Sequence, residues 1–444
     1  MTINYKNIGL FFLVACLILG TGFVQSWNTA LFILNMGLVS AIMALGVNLQ
    51  WGFAGLFNVG IMGFVALGGL AAVLISMPPT TEAWTAGGLQ VILGLILGAA
   101  TVTCSILVQM RMAAGRARTL LTIVILIGGF FTYRAVFDGG VAVVEAIDAA
   151  GTGYLGGLNF GGANYKDWGF MTLISWPVGG ILAAGVAWLI GKTALGLRSD
   201  YLAIATLGIS EIIIAVMKNE DWLSRGVKNV IGLPRPVPYE IELQESAGFV
   251  ERTTALGLDP VTSSSLVVKL GYAGLFSIVL IVILILAQLA RSSPWGRMMR
   301  AIRDNEDAAE AMGKNVTARH LQIFVLGSAI CGVAGAMMTT LDSQLTPSSY
   351  QPLRFTFLVW VMVIVGGSGN NFGSVLGGFL IFFLWVQVEP MGAILMQILT
   401  SGMAEDNGLR LHLLESVAHM RLLTMGLILI LVLRFAPKGL IPEK

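Results

Sequence analysis

Twelve apolar runs of roughly membrane-spanning length divide this chain, and no other feature restricts its fold so severely. A bilayer core of about 30 Å takes about 20 apolar residues in a helix. That window fits near 8–25, 29–48, 52–77, 88–109, 119–138, 170–192, 200–217, 266–290, 321–341, 354–367, 373–390 and 422–435. The expected fold is therefore all-α: a polytopic integral membrane protein of about 10–12 transmembrane or re-entrant helices, one transmembrane domain over 1–444. The run Ile8 to Val24 reads as a first transmembrane helix rather than a signal peptide. It lacks a small-x-small cleavage site and another span follows at once.

Composition supports that class. The chain is 56% hydrophobic and only 11% charged, where a soluble domain carries about a quarter charged residues. Its 55 glycines suit helices that pack through small side chains for want of a hydrophobic drive between them. A net charge of +2, in short basic clusters, suggests no nucleic-acid surface. Cys16, Cys104 and Cys331 each fall in an apolar run and read as small core residues, with neither disulfide nor metal spacing. His320, His412 and His419 are the only histidines and pair with no ligand set, so neither a metal nor a membrane enzyme is expected. "GKT" at Gly191 to Thr193 resembles a phosphate-binding loop, but Val186 stands where that loop needs glycine and an apolar helix precedes it. No cofactor is expected on this chain.

Lys and Arg in short loops set orientation. Arg111, Arg116 and Arg118, then Lys192 and Arg198, then Arg297, Arg300, Arg303, Lys314 and Arg319, then Arg434, Lys438 and Lys444 all fall on one side of a twelve-span chain, with Lys6. That side is expected to be the cytoplasm, with both termini on it. The opposite face carries an external loop, 218–265, in which Lys218 to Pro260 holds five basic and seven acidic residues; "GLPRPVP" marks a rigid extended piece.

Three runs are short or broken by glycine: "WGFAGLFNVGIMGF", "YLAIATLGISEIII" and "VMVIVGGSGNNFGSVLGGF". They are expected to be half-helices or re-entrant pieces, which are tolerated only inside protein or along a cavity. Amide and ionisable groups at that depth default to functional candidates. Asn58 and Glu211 are the first choices for a translocation pathway, with Asn35 and Asn48 flanking, and Gly367 and Gly369 form a break beside Asn370 and Asn371. For each Asn the competing role is an interhelical hydrogen bond, and for the glycines it is tight packing.

The densest charge sits in a loop spanning 291–320. Nine of the 28 residues from Ser293 to His320 are charged. Ser293 suits an N-cap, Pro294 the first helical position and Gly313 the left-handed C′ position, so one capped helix is expected between them. Met298, Ile302, Asn305, Ala309 and Met312 make a shallow stripe, too small for strong membrane burial. Small residues ringed by both charge signs fit a protein interface instead.

"SPWGRMMRAIRDNEDAAEAMGKNVTARHLQIFVLGSAICGVAGAM" resembles the cytoplasmic loop and following helix of permeases of branched-chain amino acid ABC importers, the LivM type. "DYLAIATLGISEII" followed by "GLPRP", then "VGGSGNNFGSVLGG", then "LRFAPKGLIP", resemble other signatures of that family in the same order. The resemblance implies a transmembrane permease subunit for branched-chain amino acids in a bacterial inner membrane. Its implied partners are a homologous permease subunit, two ATP-binding cassette subunits that bind the ATP, and a periplasmic substrate-binding protein. It makes Glu306 to Gly313 the coupling helix, with Arg300, Arg303, Glu306, Ala309, Glu310 and Gly313 as ATPase-docking residues. Two departures stand out. Between Gly87 and Gly169 the chain carries extra material, placed as an inserted helix and loop region at 110–169, and "GIMGF" replaces a motif that in relatives reads like Gly-His-Ala-Ala-Phe. A urea, short-amide or other amino-acid permease of the same superfamily therefore stays open. A secondary transporter is the alternative of another class, but Glu211 alone is thin support for its proton relay.

Overall fold

The computed structural model describes residues 5–147, 154–159, 169–197, 199–404 and 407–443. Arg198, Lys444, 148–153 and 160–168 of the expected insert lie outside the described residues. Twelve apolar helices occur among the described residues: α1 (Tyr5–Val24), α2 (Trp27–Asn48), α3 (Ile61–Ser76), α4 (Leu89–Arg111), α5 (Arg116–Ala146), α6 (Phe170–Ala194), α7 (Ser199–Asn219), α8 (Pro260–Ser292), α9 (Val316–Asp342), α10 (Pro352–Gly366), α11 (Asn371–Leu399) and α12 (Met420–Phe435). Ten of the helical segments are long and apolar enough to cross a membrane; α3 and α10 are the shorter pair. At 1.5 Å per residue those two span only about 24 and 22 Å, short of a bilayer core, and both are buried over most of their length.

The core is α2, α3, α6, α9, α10 and α11, and glycines set its spacing. A Cβ on Gly68 would strike the Gly332 carbonyl, one on Gly335 the Val65 carbonyl, and one on Gly377 the Met362 carbonyl. The α3–α9 and α10–α11 pairs are therefore in backbone contact, which only glycine permits. Larger side chains fill the seams between, among them Phe64 against Phe324 and Trp176 against Phe276.

Helices α4 and α5 stand apart as a hairpin. They pack chiefly on each other and expose most of their apolar surface, and a small cluster of Val91, Phe137, Val144, Leu155 and Trp222 ties them to the rest. The expected insert at 110–169 begins within this hairpin, at the end of α4, and takes in all of α5. Two further expectations change. Cys16 and Cys104 lie on exposed faces and only Cys331 is buried, because in a membrane chain an apolar run is as often lipid-facing as core. "YLAIATLGISEIII" is no half-helix: α7 runs unbroken, and Gly208 within it meets no neighbour that would force a break.

The loops divide between two ends. At one, Leu440 and Ile441 N–H groups bond the Val365 and Gly366 carbonyls at 2.9 Å each. Asn370 Nδ2 donates to the Pro442 carbonyl there at 3.0 Å. The helix Pro294–Asp304 occupies the same end, which we call the Arg-rich end. At the other, β1 (Val230–Ile231) pairs antiparallel with β2 (Gln344–Leu345), Val230 opposite Leu345, and Arg235 Nε donates to Ser343 Oγ at 2.7 Å. The segment between α7 and α8 is built of short helices and β1, with Leu233 and Val237 of "GLPRPVP" buried. Since α7 includes Lys218 and α8 begins at Pro260, this loop is shorter than 218–265; α8 and α9 likewise trim the loop at 291–320 to its middle.

Candidate functional site

At the Arg-rich end α2 does not stop cleanly. It widens into a π-helical turn, Leu49–Phe53, and the chain then runs non-helically to Ile61, so the span expected at 52–77 begins nine residues late. Irregular backbone at this depth needs internal partners, and amide side chains supply them. Asn58 Nδ2 donates to Gln50 Oε1 at 2.9 Å, while Asn58 Oδ1 accepts from Gly60 N–H at 2.8 Å. Trp360 Nε1 donates to the Asn58 carbonyl at 3.1 Å. Gln50 Nε2 reaches α9 at the Phe324 carbonyl, 2.9 Å, and Ser328 Oγ, 3.1 Å. Asn48 closes the second break: its Oδ1 accepts from Gly369 N–H at 2.8 Å and its Nδ2 donates to Asn371 Oδ1 at 3.1 Å. Asn371 Nδ2 continues to Gln288 Oε1 of α8 at 3.2 Å. The rings of Trp51, Phe57 and Trp360, centroids 4.6–5.4 Å apart, enclose the segment.

This network joins five membrane helices around two breaks. Asn58 and Asn48 are fully buried members of it, so the structure places Asn58 in the frame of the break and not on an open channel wall. Gly367 and Gly369 adopt positive φ, and a Cβ on Gly367 would strike the Ile441 carbonyl; they seat the C-terminal segment. Asn35 lies elsewhere, donating to the Lys269 carbonyl at 2.9 Å. Gln50 and Gln288 were missed from the sequence, though an amide within an apolar run was the signal that could have found them.

The charged segment is two helices, Pro294–Asp304 and Glu306–Ala311, rather than one. Ser293 caps the first as expected, its Oγ accepting from Gly296 N–H at 3.2 Å. Asn305, assigned above to the apolar stripe, is extended at φ −157° and caps the second, its Oδ1 accepting from Ala308 N–H at 2.9 Å. An Asn followed by Glu306 and Asp307 is a helix-start signal that outweighed the periodicity. The first helix buries Gly296, Met299 and Ile302. Glu306, Glu310 and Gly313 are exposed, Ala309 is half-buried, and Gly313 has the left-handed φ of +78° that its C′ role requires.

Arg303 turns inward. Its Nη1 donates to the Gly52 carbonyl in the π-helical turn and to Glu443 Oε2 at 2.9 Å, and its Nε to Asp304 Oδ1 at 3.2 Å. Burial opposes the charge, but the hydrogen bond and charge of Glu443, with Asp304 behind them, hold the guanidinium above its ordinary pKa. Arg300 has a buried Nε with no hydrogen-bond partner among the described residues. A cavity of about 180 Å³, walled by 54–57, Leu202, Ile302 and His320, lies beside this junction.

Glu211 belongs to neither assembly. It is exposed on α7, in a groove of about 590 Å³ at the opposite end of the bundle that also holds Lys218 and Arg354. Among the described residues no cluster of three His, Cys, Asp or Glu could hold a metal.

Comparison with known proteins gives a family match described as "Branched-chain amino acid transport system / permease component" over residues 147–433. The match begins after the α4–α5 hairpin. The high-affinity branched-chain amino acid transport system permease protein LivM of Escherichia coli is 30% identical over 223 residues, 49% of this chain and 51% of that protein. A probable branched-chain amino acid transport permease protein LivM of Methanocaldococcus jannaschii is 25% identical over 268 residues, 60% of this chain and 67% of that one. The fructose import permease protein FrcC of Rhizobium meliloti is 28% identical over 123 residues, 27% and 34% of the two chains. The chain thus spans about half the length, 51%, of the Escherichia coli relative. No solved structure matches.

Proposed function

The chain belongs to the family of branched-chain amino acid transport permease components, and from that premise we propose that it is the membrane-spanning subunit of an ATP-driven importer of branched-chain amino acids. It sits in the bacterial cytoplasmic membrane with the Arg-rich end and both termini inside. It pairs with a homologous permease, receives substrate from a periplasmic binding protein and is driven by two ATP-binding cassette subunits. ATP is bound by those subunits and no covalent chemistry occurs here.

The observation that carries this reading is the Glu306–Ala311 helix. It is capped, exposed and joined by one residue, Asn305, to a helix whose Arg303 reaches the break in α2. A push on Glu306, Ala309, Glu310 or Gly313 by a partner would travel through that rigid helix to the Gly52 carbonyl. Arg300 and Arg303 serve the lever from its inner side, and Asn58, Gly367 and Gly369 shape the breaks that it moves. Glu211 lines the route at the opposite end.

The test is Glu310→Lys together with Gly313→Trp, neither of which meets a packed neighbour. Both are expected to abolish co-purification with the ATPase subunit and ATP-dependent uptake. Intact co-purification and uptake would refute docking at this helix. Uptake that survives loss of the ATPase but collapses with the proton gradient would favour a secondary carrier.

A further inference from the structure

We propose, resting on the reading that this chain conducts amino acids, that the groove over α10, between α7 and α12, is an entry vestibule for an apolar α-amino acid. It would take the zwitterion with its carboxylate toward Arg354 and Lys218 and its ammonium toward Glu211.

The charges carry the argument. Glu211 is exposed in the middle of a membrane-spanning helix, where a carboxylate against lipid is costly. Its face of α7 is therefore turned to water or protein. Glu211, Lys218 and Arg354 share the groove, and none has an ion-pair partner among the described residues. Seven residues separate Glu211 from Lys218, which puts them on one side of α7 about 10 Å apart along its axis. Lys218 is next to last in α7 and Arg354 third in α10, so two cations stand at the mouth and the carboxylate lies deeper.

Arg354 is held at its post by aromatic faces, its guanidinium carbon 5.3 Å from the Trp385 ring centroid and 5.5 Å from that of Phe355. That leaves its donors for a carboxylate. Between the charges the wall is Leu353, Phe357 and Leu422, a surface for an aliphatic side chain. Both signs of charge flanking an apolar wall match the three parts of such an amino acid. The groove over Leu173 and Pro177 is the contrast: apolar throughout, it suits an acyl chain. A volume near 590 Å³ exceeds one amino acid, so binding is expected to be weak and wet, as a transit site requires.

The experiment labels Leu353→Cys in the complete reconstituted transporter with a membrane-impermeant, water-soluble thiol reagent, the parent chain giving the background. L-Leucine is expected to slow labelling about tenfold at ten times its Kd. Glu211→Gln and Arg354→Gln should each remove that protection. Isopentylamine and 4-methylpentanoate, which lack one charge each, should protect far less. The vestibule is overturned if the cysteine is not labelled, if leucine leaves the rate unchanged, or if single-charge analogues protect equally. Import without protection overturns the vestibule and leaves the proposed function standing, whereas protection without import does the reverse.

Discussion

Arg303 Nη1 lies 2.9 Å from Glu443 Oε2, joining a helix outside the membrane span to the C-terminal segment across 140 positions of sequence. The same nitrogen holds the Gly52 carbonyl, so one guanidinium pins three segments of chain. Both side chains are about a quarter exposed, at 25% each, which places the pair between a surface bridge and a buried one. Arg303→Gln is expected to cost about 1–3 kcal/mol, seen as a lower melting temperature of the purified complex. Uptake per ATP hydrolysed should fall further than ATP hydrolysis itself. An unchanged ratio would show that Arg303 transmits nothing.

Asn58 makes three hydrogen bonds through its amide and carbonyl groups within the break. Asn58→Ala leaves the Gly60 N–H and Gln50 Oε1 unpaired in a buried site, at about 1–3 kcal/mol for a stranded polar group. Denaturant melts of Asn58→Ala should therefore show clear destabilisation. Asn58→Asp should be no better, because it cannot donate to Gln50.

Gly335 and Gly185 make a matched pair. A side chain at Gly335 meets the Val65 backbone, whereas Gly185 on α6 has nothing within 4 Å. Gly335→Val is expected to destabilise by about 1–3 kcal/mol through overpacking. Gly185→Ala should be neutral or stabilise by about 0.5–1 kcal/mol. Thermal unfolding of the two variants side by side checks the backbone contact.

Asn305 decides that the charged segment is two helices. Asn305→Ala is expected to cost about 1 kcal/mol of helix stability, and faster amide exchange confined to 306–311 would report it. Asn305→Ser, which can still cap, should restore protection.

Asp259 caps α8, and the hydrogen bond from Thr262 N–H, with one from its hydroxyl, holds its carboxyl below the usual range. A lowered folded pKa means that the cap stabilises above the unfolded value and is lost as pH falls through the folded one. Exchange of the first-turn amides of α8 should stay slow at neutral pH and quicken below about pH 4. Asp259→Asn should flatten that dependence.

Twelve helices, their order and the charged segment's outer limits at Ser293 and Gly313 could all be read from local pattern. Each rests on something a short window contains: an apolar run of bilayer length, an N-cap, a glycine able to take positive φ. The Asn305 cap was local too, but it was hidden by a stripe of the right period. What no window holds is the partner of a group across the bundle. That Arg303 would turn to Gly52 and Glu443, that Asn48 would bond Gly369, and that Glu211 would share a groove with Arg354 depend on which helices pack side by side. Those neighbours are chosen by glycine seams such as Gly68 against Gly332, contacts between residues far apart in sequence. By itself, then, the sequence determined a helical membrane chain and the capped limits of its charged segment, since hydrophobicity and capping are local free energies. Only the tertiary structure decided which polar groups frame the breaks and which face the groove, since pairing a buried polar group is a property of the packed bundle.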